Sequence, residues 1–301
     1  MAASPIAIVK KHEILNAWNW LVRFMSPRPD NDCGTCVYDQ KMWGEKSTLV
    51  PLQSDLTVLR NLAILYLTSQ LMGIRTILDI VHDCSTEDLM VYQTNLDADV
   101  RAVIESEDRF RDALSEHLAF WTRLATEVKG KTGFRFACAL PNFQPEDKGP
   151  DGLFLSMDSL ERVEVYSVKN SIANPKPLIS SSQFRKNGVA ARYKQLDDFW
   201  LNANKGLGLL RLDRLLDQVS RALDVTPSQS IRMGLLAECS YNAIVVANQE
   251  YAGVHLFEGY ERINRNSKKR IATYIGSRSW IGVSKRTRRC VKQILEQAGV
   301  K

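Results

Sequence analysis

An aspartate and a lysine are the residues whose spacing points most directly to chemistry. Asp151 stands in the turn Gly149-Pro150-Asp151-Gly152, just before the apolar run Leu153-Phe-Leu. Lys169 closes Arg162-Val-Glu-Val-Tyr-Ser-Val-Lys, where apolar and polar residues largely alternate. Such alternation predicts a strand. The lysine therefore falls at a strand end and the aspartate at a strand start. Eighteen positions separate them, about the reach of an antiparallel hairpin. Carboxylate oxygens hold hard divalent cations, and a neighbouring amine can orient or deprotonate water. That pair of groups suits metal-assisted hydrolysis of a phosphodiester.

The elements that must position this pair can be read from periodicity. Asp108 to Lys129 repeats apolar residues at helical spacing, and a helix is expected there. Gly133 to Leu140 has strand character, and Gly152 to Met157 is a second strand. The alternating strand to Lys169 follows, then a Ser/Pro-rich connection over Asn170–Ser182 and a helix from Gln183 to about Asn202. Further helices are expected at His12–Met25, Ser54–Ser69 with Ser54 as N-cap, Gly73–His82, Asp97–Ile104, Leu207–Leu223 and Val283–Ala298. Tyr241–Asn248, rich in Val and Ile, is expected to be a strand.

The order helix, strand, Pro-Asp, strand, Lys-ended strand, helix resembles the PD-(D/E)xK superfamily of nucleases, the restriction-endonuclease-like fold. The resemblance covers Ser115 to Trp200, under a third of the chain. It implies an α/β (α+β) mixed-sheet core flanked by helices. It also implies Mg²⁺ or Mn²⁺, with Asp151 as a metal ligand and Lys169 as the catalytic amine. The acid that the motif places two residues before the lysine is here Ser167. Two substitutes are candidates. Glu164 lies near but three residues from Ser167, on the other strand face unless a bulge intervenes. Glu116, on the preceding helix, lies nearly opposite the apolar stripe Leu114, Leu118, Trp121, Ala125 and Val128. Tyr193-Lys194-Gln195-Leu196-Asp197-Asp198-Phe199 resembles the Gln-x-x-x-Tyr element of the RecB-like branch, with Phe199 for Tyr. That likeness implies a substrate-side role for Gln195. The resemblance further implies DNA cleavage, with restriction or antiphage defence as the setting and a separate helicase or NTPase as a partner. The alternative is a nuclease-fold protein that binds nucleic acid, or assembles with a partner, without cutting.

Charge supports a polyanion partner. The chain of 301 residues carries 40 basic and 34 acidic side chains, a net +6. Eleven of the cations lie between Arg262 and Lys292 with no Asp or Glu among them. The rest of the chain is net negative. Lys268, Lys269, Arg270, Lys285, Arg286, Arg288 and Arg289 are the candidate nucleic-acid contacts in that stretch. Tyr260, Tyr274 and Trp280 lie in or beside it, either as stacking groups or as core aromatics.

Other features limit the reading. The division expected is a mainly helical region over 1–105, then the nuclease-like core with its basic extension over 106–301. Cys33-Gly-Thr-Cys36, with His82 and Cys84, would supply four ligands for structural zinc if the fold joined two pairs about 46 residues apart. Reduced structural thiols are the simpler reading. The four histidines show no H-E-x-x-H spacing, and no phosphate-binding glycine loop is present. No apolar run reaches the roughly 20 residues of a membrane span, and the N-terminal residues do not read as a secretory signal. A cytoplasmic protein is expected.

Overall fold

The computed structural model describes residues 6–24, 37–38, 47–52, 55–81, 89–91, 96–128, 136–138, 151–156, 163–175, 177–178, 240–251 and 269–300. The chain is α+β. Its first third holds β1 (Ile6–Val9), α1 (Lys11–Phe24), β2 (Val37–Tyr38), β3 (Ser47–Leu52), α2 (Leu56–Leu71), α3 (Ile74–Val81), β4 (Leu89–Val91) and α4 (Ala98–Glu105). Then come α5 (Glu107–Val128), β5 (Phe136–Cys138), β6 (Gly152–Ser156), β7 (Val163–Asn170), β8 (Ser240–Asn248), β9 (Lys269–Ser277) and α6 (Trp280–Gln297). The helices expected at 183–202 and 207–223 lie outside the described residues.

Seven strands form one sheet in the order β2-β3-β9-β8-β7-β6-β5, and β1 pairs with β4 separately. Neighbours β3, β9, β8 and β7 are parallel. Strands β5, β6 and β7 form an antiparallel meander. The middle of the sheet is apolar on both sides. Ala243 to Ala247 of β8 are buried without a break, as expected for parallel strands covered on both faces. Tyr166, Val168, Ile244, Val246 and Ile275 join the main hydrophobic core with α2, α5 and α6.

Strands β1, β2, β3, β4 and β9 were not expected from the sequence, and two of them bear on the main sheet's parallel half. Ser47–Leu52, unassigned by periodicity, pairs in parallel with β9 despite containing Pro51. The basic stretch, read as a run of candidate nucleic-acid contacts, runs through β9, where Tyr274 and Ile275 are fully buried. Helix α2 is central rather than one-sided: every residue from Leu62 to Gln70 is buried. Its N-cap is Asp55, not Ser54. The Asp55 carboxylate accepts the Val58 N–H at 2.9 Å, satisfying one of the amides a helix start leaves open. Helix α6 is capped by Ser279 and followed, after its C-cap Ala298, by Gly299, whose φ of 70° suits glycine and lets Val300 N donate to Leu295 O at 3.0 Å. No helix among the described residues is long and apolar enough to cross a membrane.

Candidate active site at the carboxyl edge of the sheet

Strands β7, β8 and β9 are parallel, so their carboxyl ends share one edge of the sheet, where open α/β sheets commonly bind ligands. Strand β6 runs the opposite way and begins at that edge. Its first residue, Gly152, pairs with Tyr166 of β7. The residue before it, Asp151, is thereby delivered beside Ser167. Its Oδ2 accepts from Ser167 Oγ at 2.9 Å and from Val168 N at 2.6 Å. Hydrogen bonds to a carboxylate are stronger and shorter than neutral ones. Asp151 is buried, as is Ser167.

Gly152 makes this approach geometrically possible. A Cβ built there would lie 1.7 Å from Tyr166 Cζ. The fully buried Tyr166 ring therefore occupies the space of a side chain at 152. The short Gly152–Tyr166 pairing brings the start of β6 against β7.

Lys169 is two residues beyond Ser167 on β7 and half-buried. Strand alternation gives it the same face as Ser167. The neighbouring position, Asn170, belongs to the opposite face, where α5 packs. Asn170 Nδ2 donates to Asp112 Oδ1 at 2.8 Å and to Ser115 Oγ at 3.4 Å, and Arg111 Nε donates to Asn170 Oδ1 at 3.2 Å. Arg111 also pairs with Asp108 at 2.8 Å. This network anchors the end of the lysine-bearing strand to the first turns of α5. It was not anticipated. The available signal was Asp108, Arg111, Asp112 and Ser115 at helical spacing, followed by an asparagine directly after Lys169.

The other named residues are placed as follows. Glu116 is half-buried on α5, one turn beyond Asp112. Glu164 occupies the β7 position that pairs with Phe154 and Ser240. Gln195, Lys268, Cys33, Cys36, His82 and Cys84 lie outside the described residues. Among the described residues no group of three His, Cys, Asp or Glu side chains is arranged to hold a metal. Tyr274 and Trp280 are fully buried core aromatics. Ser171 Oγ bonds within its own turn, to Ala173 N at 3.2 Å and Ala173 O at 2.9 Å.

Lys269 and Arg270 fall in β9, opposite Ser240 and Tyr241 of β8. The cations of α6 divide into two sets. Lys285 pairs with Glu107 at 3.0 Å, Lys292 pairs with Glu105 at 2.7 Å, and Arg288 Nη1 donates to Glu105 O at 3.3 Å. The Lys292 and Lys285 ammonium groups hold the Glu105 and Glu107 carboxyls below their ordinary value. Arg286 and Arg289 are exposed.

A second polar cluster lies deep between α2 and α5. Ser69 Oγ is 2.5 Å from His117 Nδ1. Trp121 Nε1 donates to Leu65 O at 2.9 Å and to Ser69 Oγ at 3.1 Å. Burial pushes the His117 imidazole down to about 3, so it is neutral at ordinary pH.

No protein-family model, curated protein or solved structure matches this chain.

Proposed function

We propose that the chain is a metal-dependent nuclease acting on DNA, with Asp151 and Lys169 at its centre. The observation that carries this reading is the Asp151 carboxylate bonded to Ser167 and Val168, on the strand that bears Lys169. The described elements from Glu107 to Asn170 run helix, strand, Asp151, strand, and a strand with Lys169 as its penultimate residue. This matches the first part of the order on which the resemblance to the restriction-endonuclease-like fold rests; the helix that completes it lies outside the described residues. The next described strand, β8, lies parallel beside β7.

The donor set fits a hard cation in a minimal form. Mg²⁺ commonly uses one or two carboxylates, several waters and the substrate's own phosphate. Asp151 supplies a carboxylate and Ser167 a neighbouring hydroxyl. When bound, the ion would polarise the phosphate and lower the pKa of a water. Lys169 then orients the attacking water or neutralises charge growing on the phosphoryl oxygens. The Val168 N–H and Ser167 O–H fix the orientation of the Asp151 carboxylate. Restriction or antiphage defence in the cytoplasm, beside a separate helicase or NTPase, is the setting this chemistry suits.

The test is cleavage of plasmid and short single-stranded DNA with Mg²⁺ or Mn²⁺. Asp151→Ala and Lys169→Ala are expected to cut about 10²-fold or more slowly than wild type. Equal cutting by all three proteins would assign the activity to a contaminant and remove the nuclease.

Ser167 favours a second reading. It stands where the motif has an acid and donates to the buried Asp151 carboxylate. A protein that keeps the fold and binds nucleic acid without cutting would show salt-sensitive binding and no cleavage on any substrate.

A further inference from the structure

The basic segment near the C-terminus is not one surface. On α6 the buried face is formed by Trp280, Val283, Thr287, Cys290, Val291 and Ile294. At 100° per residue, Lys285, Arg288 and Lys292 fall together on one flank. That flank meets the junction of α4 and α5, where Glu105 and Glu107 take all three cations. Arg289 lies on the crest, opposite the buried face, and Arg286 lies on the far flank. Both are exposed, and neither forms an ion pair or hydrogen bond among the described residues. Arg278 is exposed in the bend between β9 and α6, at the sheet edge that also carries Lys169. It too has no such partner.

We propose that a nucleic-acid backbone crosses the crest of α6, contacted by Arg278, Arg286 and Arg289, while Lys285, Arg288 and Lys292 serve the fold. This rests on the nucleic-acid reading above and divides its basic residues by role. The acids that silence one flank come from about 180 residues away in the chain. Charge counting along the segment therefore overstates the surface offered to a polyanion. From Trp280 to Arg289 the helix advances about 14 Å, and Arg278 lies two residues before it, adding to that reach. One DNA strand presents about five phosphates over that length.

The crest lacks what a membrane would require. Interfacial helices turn a large apolar face outward. The exposed large hydrophobic residues among those described are Leu56 and Ile172, neither of them on α6. The crest is instead cationic and planar in its donors: guanidinium groups form paired hydrogen bonds to phosphate oxygens.

The test is binding of a fluorescein-labelled DNA duplex by anisotropy, in EDTA so that no cutting occurs, across a series of salt concentrations. The slope of log affinity against log salt counts phosphates neutralised, at about 0.9 per contact on duplex DNA. The triple substitution Arg278→Gln, Arg286→Gln, Arg289→Gln is expected to flatten that slope by about 2 to 3. Lys285→Gln, Arg288→Gln, Lys292→Gln is expected to leave it within about 0.5 of wild type, with a small loss of thermal stability. If that second triple variant fails to fold, the single exposed Lys285→Gln replaces it. Equal flattening by both sets, or none by the arginine set, overturns the division. Tighter binding of wild type to phosphatidylserine vesicles than to duplex overturns the choice of partner. Cleavage that is intact while the arginine set leaves the slope unchanged removes the crest alone. Absent cleavage with the expected slopes removes the nuclease alone. No binding of wild-type protein at low salt removes both.

Discussion

Two serines in this molecule sit beside titratable groups, and their surroundings give them different roles. Ser69 contacts His117 and Trp121 between α2 and α5. Ser167 donates to Asp151 at the edge of the sheet. A serine paired with a histidine is the more familiar nucleophile arrangement. Here the histidine is wholly buried, with the Tyr66 ring packed edge-on at 5.0 Å. Substrate has no route to a group sealed in this way. The Asp151 pair is also buried, but it lies next to half-exposed Lys169 and Asn170 where strands end. Residue types alone would favour the Ser69–His117 pair as a candidate site. Position relative to the sheet edge separates them.

The largest expected effect sharpens the view of the His117 cluster as structural. An unfolded imidazole takes up a proton near pH 6.5, while the folded one stays neutral down to about 3. Between those values the unfolded state binds more protons, so acid favours unfolding. His117 should therefore lower stability by about 1.4 kcal/mol per pH unit below 6.5, or about 3.5 kcal/mol by pH 4. Urea unfolding of wild type and His117→Gln across this range isolates the effect, since the carboxylates titrate in both. Parallel pH profiles would show that the imidazole is protonated in the fold.

Next in size is Gly152→Ala, which tests how closely β6 must approach β7. A methyl group placed 1.7 Å from a buried ring atom forces the ring or the strand to move. The expected cost is about 3 kcal/mol, read as a shift in the urea midpoint. In a Tyr166→Ala background the same substitution should cost under about 1 kcal/mol, because the obstructing ring is gone. A full cost in that background would place the constraint elsewhere.

Substitution at the two clusters themselves compares them directly. Asp151→Ala strands the Val168 N–H and Ser167 O–H inside the sheet, at about 2 kcal/mol, and on the proposed function is expected to slow cleavage by about 10²-fold or more. Ser69→Ala leaves Trp121 its bond to Leu65 O and should cost about 1 kcal/mol with cleavage unchanged. Loss of cleavage in stably folded Ser69→Ala would reverse the assignment of roles.

Much of the fold was legible because it is local. The helices over Ala98–Glu105 and Glu107–Val128 and the strand Val163–Asn170 match their periodic patterns to within a residue or two. Strands β3 and β9 were among those not read. Pro51 interrupts one pattern, and the cations Lys268, Lys269 and Arg270 mask the apolar run from Ile271 to Ile275 in the other. Their pairing joins residues more than 200 positions apart, which no window along the chain can show. The same limit applies to the candidate site. Asp151 and Lys169 stand out by type and spacing. The Ser167–Asp151 bond and the Asn170–Asp112 anchor depend on register and helix docking. Likewise, a stretch of eleven cations with no acid among them is visible in the sequence, but the glutamates opposing three of them are not.

The smallest expected effect concerns those glutamates. Lys292 and Glu105 are 2.7 Å apart, but both are substantially exposed. An exposed pair contributes about 0.5 kcal/mol. Because Lys292 holds the Glu105 carboxyl below its ordinary value of 4.5, the contribution is present above that pH and fades as pH falls through the lowered value. A double-mutant cycle of Lys292→Met and Glu105→Gln should return this coupling at low ionic strength and about none near 1 M salt, where the screening length is about 3 Å. A coupling that survives such salt would mean the pair is shielded from solvent. That flank of α6 would then be a buried joint rather than a neutralised surface.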